Sequence, residues 1–234
     1  MISQMKSVIR RRFPALPPLW RRFRYHPLLA GPPERIFTHY YQINRWGDDE
    51  SVSGAGSNLQ QTAEVRRVLP GLLAELGVQS LLDVPCGDFN WLKLVPLDVD
   101  YIGGDIVAEL VARNQAEYGN ERRRFLRLDL LEDPLPVVDL IFCRDCLVHL
   151  SAAHVRRALA NIRASGATYL LTTTFPARQV NDDIPTGWWR PLNLCRPPFN
   201  FPTPLRLIDE QCPNPDYPDK HLGLWRVADI PEQA

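Results

Sequence analysis

Two short apolar runs that each end in an aspartate constrain the fold of this chain more than any other feature. The first run reaches Asp83 and continues into the turn Cys86-Gly87-Asp88, and the second run ends at Asp105. Strand–loop–helix–strand units present a nucleoside-binding site in this way, at the carboxyl ends of parallel strands. The pattern therefore predicts an open α/β sheet with a ligand site at this edge.

The first loop is acidic, because Asp83 and Asp88 flank the Cys86-Gly87 turn. A loop that holds a pyrophosphate uses bare backbone N–H groups and a helix N-terminus, and neighbouring carboxylates would repel the phosphates. This loop instead suits a ligand with a nucleoside at one end and a positive charge at the other. S-adenosylmethionine fits that description, whereas NAD does not.

Length and composition indicate an ordinary globular protein. The 234 residues are enough for one α/β domain with modest extensions, and 27 basic residues balance 27 acidic ones. No global charge therefore favours nucleic acid as a partner. Five cysteines, an odd number, indicate reduced thiols and a cytoplasmic location rather than a disulfide framework. No apolar run approaches the length of a membrane span.

Residues 1–36 form a basic arm that prolines interrupt. We interpret the arm as an extension whose apolar residues dock on the domain; the alternative is an element that contacts a membrane surface or a partner. Residues 37–234 are expected to form a single domain. Within it, residues 37–79 cover the site, residues 80–175 form the nucleoside-binding core, and residues 176–234 provide a lid and closing strands.

Short β-like runs alternate with helical stretches through the core, which predicts a parallel sheet with right-handed crossovers. The expected strands are Ser80–Val84, Tyr101–Gly104, Arg124–Leu128, Leu140–Cys143 and Tyr169–Thr173, with His221–Val227 as a closing strand. The expected helices are Asn90–Leu94, Val107–Tyr118 and Ala152–Ala164, the last capped by Ser151 and ended by Gly166. Helical spacing also runs from Asn58 to Leu76, where Pro70 is expected to open a second helix and Gly77 to cap it.

From about Ser80 to Thr173 the chain resembles class I S-adenosylmethionine-dependent methyltransferases. With Arg45-Trp46-Gly47 and Glu50-Ser51-Val52-Ser53-Gly54 ahead of the first strand, it is similar to a poorly characterised bacterial branch of that family. The resemblance implies a Rossmann-like, mostly parallel seven-stranded sheet with helices on both faces, an N-terminal extension and an aromatic, proline-rich C-terminal lid. It also implies methyl transfer from S-adenosylmethionine. The sequence has no basic groove with interleaved aromatic residues, which disfavours a nucleic acid, so we expect the acceptor to be a hydroxyl or amine of a small molecule such as a carbohydrate or a secondary metabolite.

The resemblance also implies roles for the acidic strand ends. Asp83, Cys86 and Gly87 would line the methionine end of the cofactor, and Asp105 would accept hydrogen bonds from both ribose hydroxyls. Asp129 would face the adenine amino group, with Leu130 packed on the ring. The full set of expected cofactor contacts is Asp83, Cys86, Gly87, Asp88, Asp105, Ile106, Asp129, Leu130 and Arg144. The loop departs from the family where Pro85 and Phe89 replace two glycines.

Each of these acids has a structural alternative. Asp83 and Asp88 could cap the following helix, and Asp105 and Asp129 could be ordinary turn residues. The position directly after an apolar strand favours the ligand role for Asp83 and Asp105. It leaves Asp88 and Asp129 undecided.

Methyl transfer from a sulfonium is an in-line displacement, in which the enzyme mainly aligns the reacting atoms. A hydroxyl or amine acceptor must also lose a proton, for which Asp145, His149 and Glu210 are candidates. Asp145 and His149 are the expected catalytic residues. A purely structural role for His149 is an equally reasonable interpretation.

Residues 181–204 form a long aromatic and proline-rich segment, and loops of this length usually have a function. Trp188, Trp189 and Arg190 are expected to bind the acceptor. The two tryptophans could stack on a sugar, on an aromatic ring or on the sulfonium. The alternative is that they anchor the lid to the sheet.

Two other classes of function stay open. A nicotinamide- or flavin-dependent oxidoreductase shares the topology but uses a G-x-G-x-x-G loop that this chain lacks, and a nucleoside-binding scaffold would keep the fold without turnover. Cys143-x-x-Cys146, with His149 and Cys86, has metal-ligand spacing, but a zinc ion there would occupy the cofactor mouth. We expect Cys143 to be buried in the core and no metal to be bound.

Overall fold

A seven-stranded sheet organises the chain in the computed structural model, which describes residues 30–232. The strands are β1 (Ser80–Asp83), β2 (Asp100–Asp105), β3 (Arg123–Arg127), β4 (Leu140–Cys143), β5 (Tyr169–Thr174), β6 (Arg206–Asp209) and β7 (His221–Arg226). Their order is β3-β2-β1-β4-β5-β7-β6. The first five strands are parallel, and β7 lies antiparallel between β5 and β6. The predicted seven-stranded, mostly parallel sheet is confirmed.

Within residues 30–232 four α-helices accompany the strands, two of them ahead of β1 and two between strands. The helices are α1 (Pro33–Gln42), α2 (Ala63–Glu75), α3 (Ala108–Tyr118) and α4 (Ala152–Ala164). Short 3₁₀ turns occupy Ala55–Ser57, Leu92–Leu94, Leu147–His149 and Val227–Asp229. Among the described residues, none of these helices has the length and apolar character needed to cross a bilayer.

The central strands are buried on both faces, which explains why they read as continuous apolar runs. One face contributes Leu82, Ile102 and Ile141 to a core that α4 covers with Val155, Leu159 and Ile162. The opposite face contributes Leu81, Tyr101 and Leu140 to a core that α2 covers with Val65, Leu69 and Leu72. This two-sided burial fixes the strand register, because a slip by one residue would exchange the two faces.

The strand order reverses direction at β1, since β2 lies on one side of it and β4 on the other. Ligands of open α/β sheets bind outside the carboxyl ends of the strands at such a switch point. The fold therefore brings the ends of β1, β2 and β4 together at one edge.

Most of the predicted element boundaries agree with the structure to within one residue. The bounds of β4 and α4 are those predicted. Ser151 caps α4 by accepting a hydrogen bond from the His154 N–H, and Gly166 follows the helix with a φ of 75°. Gly77, with a φ of 65°, likewise follows the C-cap of α2.

Two predicted helices were wrong. Asn90–Leu94 contains only the 3₁₀ turn Leu92–Leu94, because the chain reverses at Phe89, whose φ is 57°. Pro70 does not open a second helix but lies inside α2. The buried stripe of α2 continues across Pro70, and burial of that stripe outweighs the backbone hydrogen bond that a proline removes.

The sequence did not reveal α1 or β6. Helix α1 begins within residues assigned to the basic arm and crosses the expected boundary at residue 36; residues 1–29 of that arm lie outside the described residues. Strand β6 is a four-residue edge strand that is mostly exposed, so it has no buried periodic pattern to identify it.

Candidate active site

A cavity of about 580 Å³ opens at the carboxyl ends of the parallel strands. This volume lies within the range of small-molecule and cofactor sites. Most of the predicted site residues line it, namely Asp83, Cys86, Gly87, Asp105, Ile106, Asp129, Leu130, Arg144, Asp145, His149, Trp188 and Trp189. Asp88 and Arg190 do not line it.

Asp83 ends β1 and is buried in the cavity wall. Its Oδ2 accepts a hydrogen bond of 2.8 Å from the Tyr101 hydroxyl. Burial raises the pKa of Asp83 to about 7, although the hydrogen bond from Tyr101 acts in the opposite direction. At Asp83 the effect of burial on the pKa is thus larger than the opposing effect of its hydrogen bond.

Asp105 ends β2 and faces the same cavity. Its two oxygens accept hydrogen bonds from the backbone N–H groups of Gly87 (3.1 Å) and Val107 (3.0 Å). Burial raises the pKa of Asp105 to about 6, against the effect of these two hydrogen bonds. The carboxylates of two neighbouring strands therefore share one cavity, as the sequence predicts.

The turn between β1 and the following residues is tight because of Gly87. Gly87 has a φ of 54°, and a Cβ at this position would overlap the Ser53 Oγ. The Gly87 carbonyl accepts a hydrogen bond of 2.7 Å from the buried side chain of Asn114 on α3. Sequence reasoning missed Asn114, because a single polar residue in a helix gives no signal of what it contacts.

Asp88 holds the segment Ser51–Ser53 in place and does not face the cavity. Its carboxylate accepts hydrogen bonds from the hydroxyls of Ser51 and Ser53 and from the Val52 N–H, all between 2.9 and 3.1 Å. The Asp88 N–H in turn donates to the Ser53 Oγ at 2.9 Å. In this geometry Asp88 fixes the covering segment over the Gly87 turn.

Asp129 and Leu130 follow β3 and line the cavity. The Asp129 Oδ1 accepts a hydrogen bond of 2.9 Å from the Leu131 N–H, and burial raises the pKa of the Asp129 carboxyl. Both residues therefore lie in the cavity wall, after the strand that pairs with β2.

Arg144, predicted as a cofactor contact, makes its hydrogen bonds to other residues of the protein. Its Nε and Nη2 donate to Glu210 Oε2 at 3.1 and 2.6 Å, and its Nη1 donates to the Gly56 carbonyl at 2.7 Å. The guanidinium also lies 5.7 Å from the ring centroid of Trp91. Glu210, a candidate proton acceptor, is buried against Arg144 and is not part of the cavity lining.

Asp145 lies in the cavity wall beside a lysine that sequence reasoning missed. The Lys220 Nζ donates to Asp145 Oδ2 at 2.6 Å, and the Arg144 Nη1 lies 3.3 Å from the same oxygen. Burial opposes the charge of Asp145, but Lys220 and Arg144 outweigh it and lower the pKa of Asp145 to about 2. Lys220 precedes β7, in a region without a motif, so only the strand pairing brings it here.

His149 ends a 3₁₀ turn after β4, with its Nδ1 2.9 Å from the Trp188 carbonyl oxygen. A carbonyl oxygen can only accept a hydrogen bond, so this contact assigns the proton to Nδ1 and leaves Nε2 as an acceptor. Burial lowers the pKa of His149. The imidazole is therefore held neutral in one tautomer.

Aromatic side chains line much of the remaining cavity wall. Trp189 packs edge-on against Tyr217 and Phe175, with ring centroids 4.5 and 5.9 Å apart. Trp46 packs against His149 at 5.9 Å. Trp188 lines the cavity as well.

Arg190 fastens the aromatic segment 181–204 and does not line the cavity. Its side chain is buried and donates to the backbone carbonyls of Asp182, Leu147 and Val148, at 2.8 to 3.2 Å. It therefore joins the aromatic segment to the turn that carries His149. Since it lies outside the cavity lining, Arg190 is placed to hold this segment and not to contact a substrate.

Cys143 is fully buried in the hydrophobic core, as expected. Within residues 30–232, no group of three or more histidine, cysteine or acidic side chains is arranged to hold a metal ion.

No protein-family model matches this sequence, and no curated protein matches it at significant sequence similarity. Solved structures do match. One is 1,6-didemethyltoxoflavin-N1-methyltransferase of Burkholderia thailandensis with bound 1,6-didemethyltoxoflavin and S-adenosylhomocysteine. It has a TM-score of 0.56 and 19% identity over 87% of this chain and 89% of that chain.

A second is human N-acetylserotonin methyltransferase in complex with S-adenosylmethionine, with a TM-score of 0.52 and 14% identity over 86% of this chain and 61% of that chain. The methyltransferase domain of bacterial CtHen1 matches more weakly, with a TM-score of 0.43 and 15% identity over 50% of this chain and 66% of that chain. This chain thus spans less than two thirds of the length of the last two. At these identities the similarity establishes the fold, which is that of class I S-adenosylmethionine-dependent methyltransferases.

Proposed function

We propose that this protein is a methyltransferase that uses S-adenosylmethionine to methylate a hydroxyl or amine of a small molecule. One observation carries the proposal: Asp83 and Asp105, at the ends of adjacent parallel strands, face a single cavity beside the Gly87 turn. The shared fold with solved methyltransferases supports it.

The charges of this edge suit a cationic adenosyl compound. Burial raises the pKa of both carboxyls, and a positive charge bound nearby would stabilise their ionised forms. A pyrophosphate would instead disfavour ionisation of both carboxyls and be repelled by the ionised fraction. This contrast favours S-adenosylmethionine over NAD.

The described residues fit the cofactor part by part. Asp105 would hold the ribose hydroxyls, since each carboxylate oxygen keeps a second acceptor site beyond its backbone hydrogen bond. Asp83, Cys86 and Gly87 would line the methionine end, and Asp129 with Leu130 the adenine. When bound, S-adenosylmethionine supplies an electrophilic methyl group on a sulfonium.

His149 is the better of the two predicted candidates for removing a proton from the acceptor. Its Nε2 is left as a hydrogen-bond acceptor, and burial lowers its pKa, so the ring is neutral at neutral pH. Asp145, with a pKa of about 2, is too weak a base for this task. We assign proton removal to His149 and a hydrogen-bonding role toward the acceptor to Asp145.

The lid residues Trp188 and Trp189 supply apolar surface for the acceptor, with Arg190 holding them in place. Trp189 is 37% exposed and packs on Tyr217, so a flat face is available at the cavity mouth. This arrangement supports a small-molecule acceptor.

Calorimetry with S-adenosylhomocysteine, NAD and NADP tests the proposal. We expect S-adenosylhomocysteine to bind with a Kd on the order of micromolar, Asp105→Asn to weaken it at least tenfold, and the exposed control Asp98→Asn to leave it unchanged. Binding of NAD without S-adenosylhomocysteine would favour an oxidoreductase and overturn the proposal. Screening acceptors with a labelled methyl donor then separates an enzyme from a non-catalytic scaffold.

A further inference from the structure

We propose that Asp145 and Lys220 form a recognition pair for a neutral, flat methyl acceptor that presents an N–H or O–H donor next to a carbonyl, as a cyclic amide does. This rests on the proposed function, because it names the acceptor of the same site. The acceptor's donor would bind Asp145 Oδ1, and its carbonyl would bind the Lys220 ammonium.

Both side chains have hydrogen-bonding capacity left over. The Lys220 ammonium has three N–H groups, and among the described residues it donates one hydrogen bond, to Asp145 Oδ2 at 2.6 Å. Within residues 30–232, the one hydrogen-bond contact of Asp145 Oδ1 is a long one of 3.4 Å with the Thr173 hydroxyl. Because both residues line the cavity, an open donor and an open acceptor lie side by side in its wall.

The pair is rigidly built. Glu210, which is buried, lies behind the Lys220 ammonium at 3.4 Å and also binds Arg144. Asp145 has a φ of 53°, an unfavourable conformation for a residue with a side chain, and its N–H donates to Thr173 Oγ1 at 2.8 Å. A Cβ on Gly56 would come within 2.9 Å of Asp145 Oδ2. Strained backbone of this kind concentrates at functional sites.

The charges in this part of the cavity balance, which indicates a neutral ligand. Arg144 and Lys220 are each paired with Asp145 and Glu210, so two positive charges meet two negative ones. A carboxylate or phosphate on the acceptor would have to compete with protein carboxylates that are already in contact with both cations. It would also enter a cavity that holds Asp83 and Asp105.

The wall beside the pair is suited to a flat molecule. Phe175, Trp189 and Tyr217 pack on one another at 4.5 to 6.0 Å between centroids, and all three line the cavity. Ring faces of this kind stack on planar groups.

The test uses the full-length protein saturated with S-adenosylhomocysteine and three probes measured by calorimetry. 2-Quinolinone carries the cyclic amide, 1-methyl-2-quinolinone lacks its donor, and 2-oxo-1,2-dihydroquinoline-4-carboxylate adds a negative charge. We expect 2-quinolinone to bind at least tenfold more tightly than either of the other two. Equal binding of the three probes, or no binding of 2-quinolinone, would overturn the inference.

Variants show whether the pair itself is responsible. Lys220→Met should weaken 2-quinolinone at least tenfold, whereas Lys93→Met, at an exposed lysine, should not change it. Asp145→Asn should reduce the preference for 2-quinolinone over its N-methyl form. Unchanged affinity in both variants of the pair would contradict the assignment.

Binding of S-adenosylhomocysteine separates the two levels of inference. If the native protein does not bind it, the proposed function fails. If the native protein binds it but does not discriminate among the probes, only the acceptor assignment fails. Binding of S-adenosylhomocysteine also reports whether each variant has folded. If Lys220→Met does not fold, the comparison of the three probes on the native protein still decides the inference.

Discussion

Aspartates behave in opposite ways in the two halves of the cavity, the half that we propose binds the nucleoside (the nucleoside half) and the half that we propose binds the methyl acceptor (the acceptor half). In the nucleoside half, burial raises the pKa of Asp83 to about 7 and that of Asp105 to about 6. In the acceptor half, Lys220 and Arg144 lower the pKa of Asp145 to about 2 despite its burial. The difference has a local cause: at Asp83 and Asp105 burial outweighs the groups that favour the charged form, whereas Asp145 is in direct contact with Lys220 and Arg144.

The two halves also differ in how far apart their residues lie in the sequence. The nucleoside half is built from consecutive strand ends, β1 and β2, whereas the acceptor half joins β4 to residues of the β6–β7 hairpin. A cofactor site can thus be local in sequence while the acceptor site depends on distant segments.

The largest expected effect concerns proton removal in the acceptor half. His149→Gln should lower kcat by about 10² to 10⁴-fold, the usual contribution of a general base, and leave binding of S-adenosylhomocysteine intact. In the native enzyme the rate should fall as pH drops below the usual histidine range, since a protonated ring cannot accept the proton. Labelled-methyl assays across pH with the acceptor found by screening would measure this. An unchanged pH profile in His149→Gln would assign the ring a structural role.

Removing a cation from the acceptor half should have the next largest effect. Arg144→Met leaves Glu210 buried with one partner fewer, so we expect a loss of about 3–5 kcal/mol in the free energy of unfolding. Urea unfolding measures it. Arg157→Met, in an exposed ion pair, is the control and should change stability by about 0–1 kcal/mol. A similar small loss for both variants would show that the buried pair is not important for folding.

In the nucleoside half, the carboxyls should make the ligand-free protein less stable as pH rises. A carboxyl with a raised pKa binds its proton more tightly in the folded state, so its contribution is full below about pH 4 and is lost as pH rises through about 7. For Asp83 this loss is on the order of 2–4 kcal/mol. Thermal or urea unfolding at pH 5 and pH 8 tests the sign, and Asp83→Asn should flatten the dependence. The decisive quantity is the difference between the native protein and Asp83→Asn, because His149, whose pKa burial lowers, contributes the opposite trend. A native protein that gains stability relative to Asp83→Asn between pH 5 and pH 8 would contradict the assigned burial of Asp83.

The smallest of these effects concerns the turn of the nucleoside half. Gly87→Ala introduces a Cβ that overlaps Ser53 Oγ at a positive φ, so we expect a loss of about 1–3 kcal/mol and weaker binding of S-adenosylhomocysteine. Ser53→Gly by itself removes hydrogen bonds with Asp88, so the clash is isolated by a double-mutant cycle, in which the double variant should lose less stability than the sum of the two single losses. Gly166→Ala, at a positive φ with open space around it, is the matched control for backbone strain alone. If Gly166→Ala costs as much as Gly87→Ala, the clash has no effect.

The local pattern of the sequence was sufficient for much of the fold. The bounds of β4 and α4 were predicted to the residue because two-sided burial and a Ser151 cap leave clear patterns in the chain. The local pattern was insufficient for β6, which is short and exposed. It was also insufficient for the stretch after Phe89, where the positive φ of Phe89 precedes a 3₁₀ turn in place of the expected helix. Pro70 shows that burial across a helix can override a local signal.

What the sequence alone determined is the acidic edge of the nucleoside half: Asp83 and Asp105 end consecutive parallel strands, and such strands present their carboxyl ends together. What only the tertiary structure decided is the partner of each charge. The antiparallel pairing of β7 brings Lys220 to Asp145 and Glu210 to Arg144. Asp88 accepts hydrogen bonds from Ser51 and Ser53. Strand burial is encoded by neighbouring residues, whereas a buried ion pair depends on groups dozens of residues apart that become neighbours only after folding.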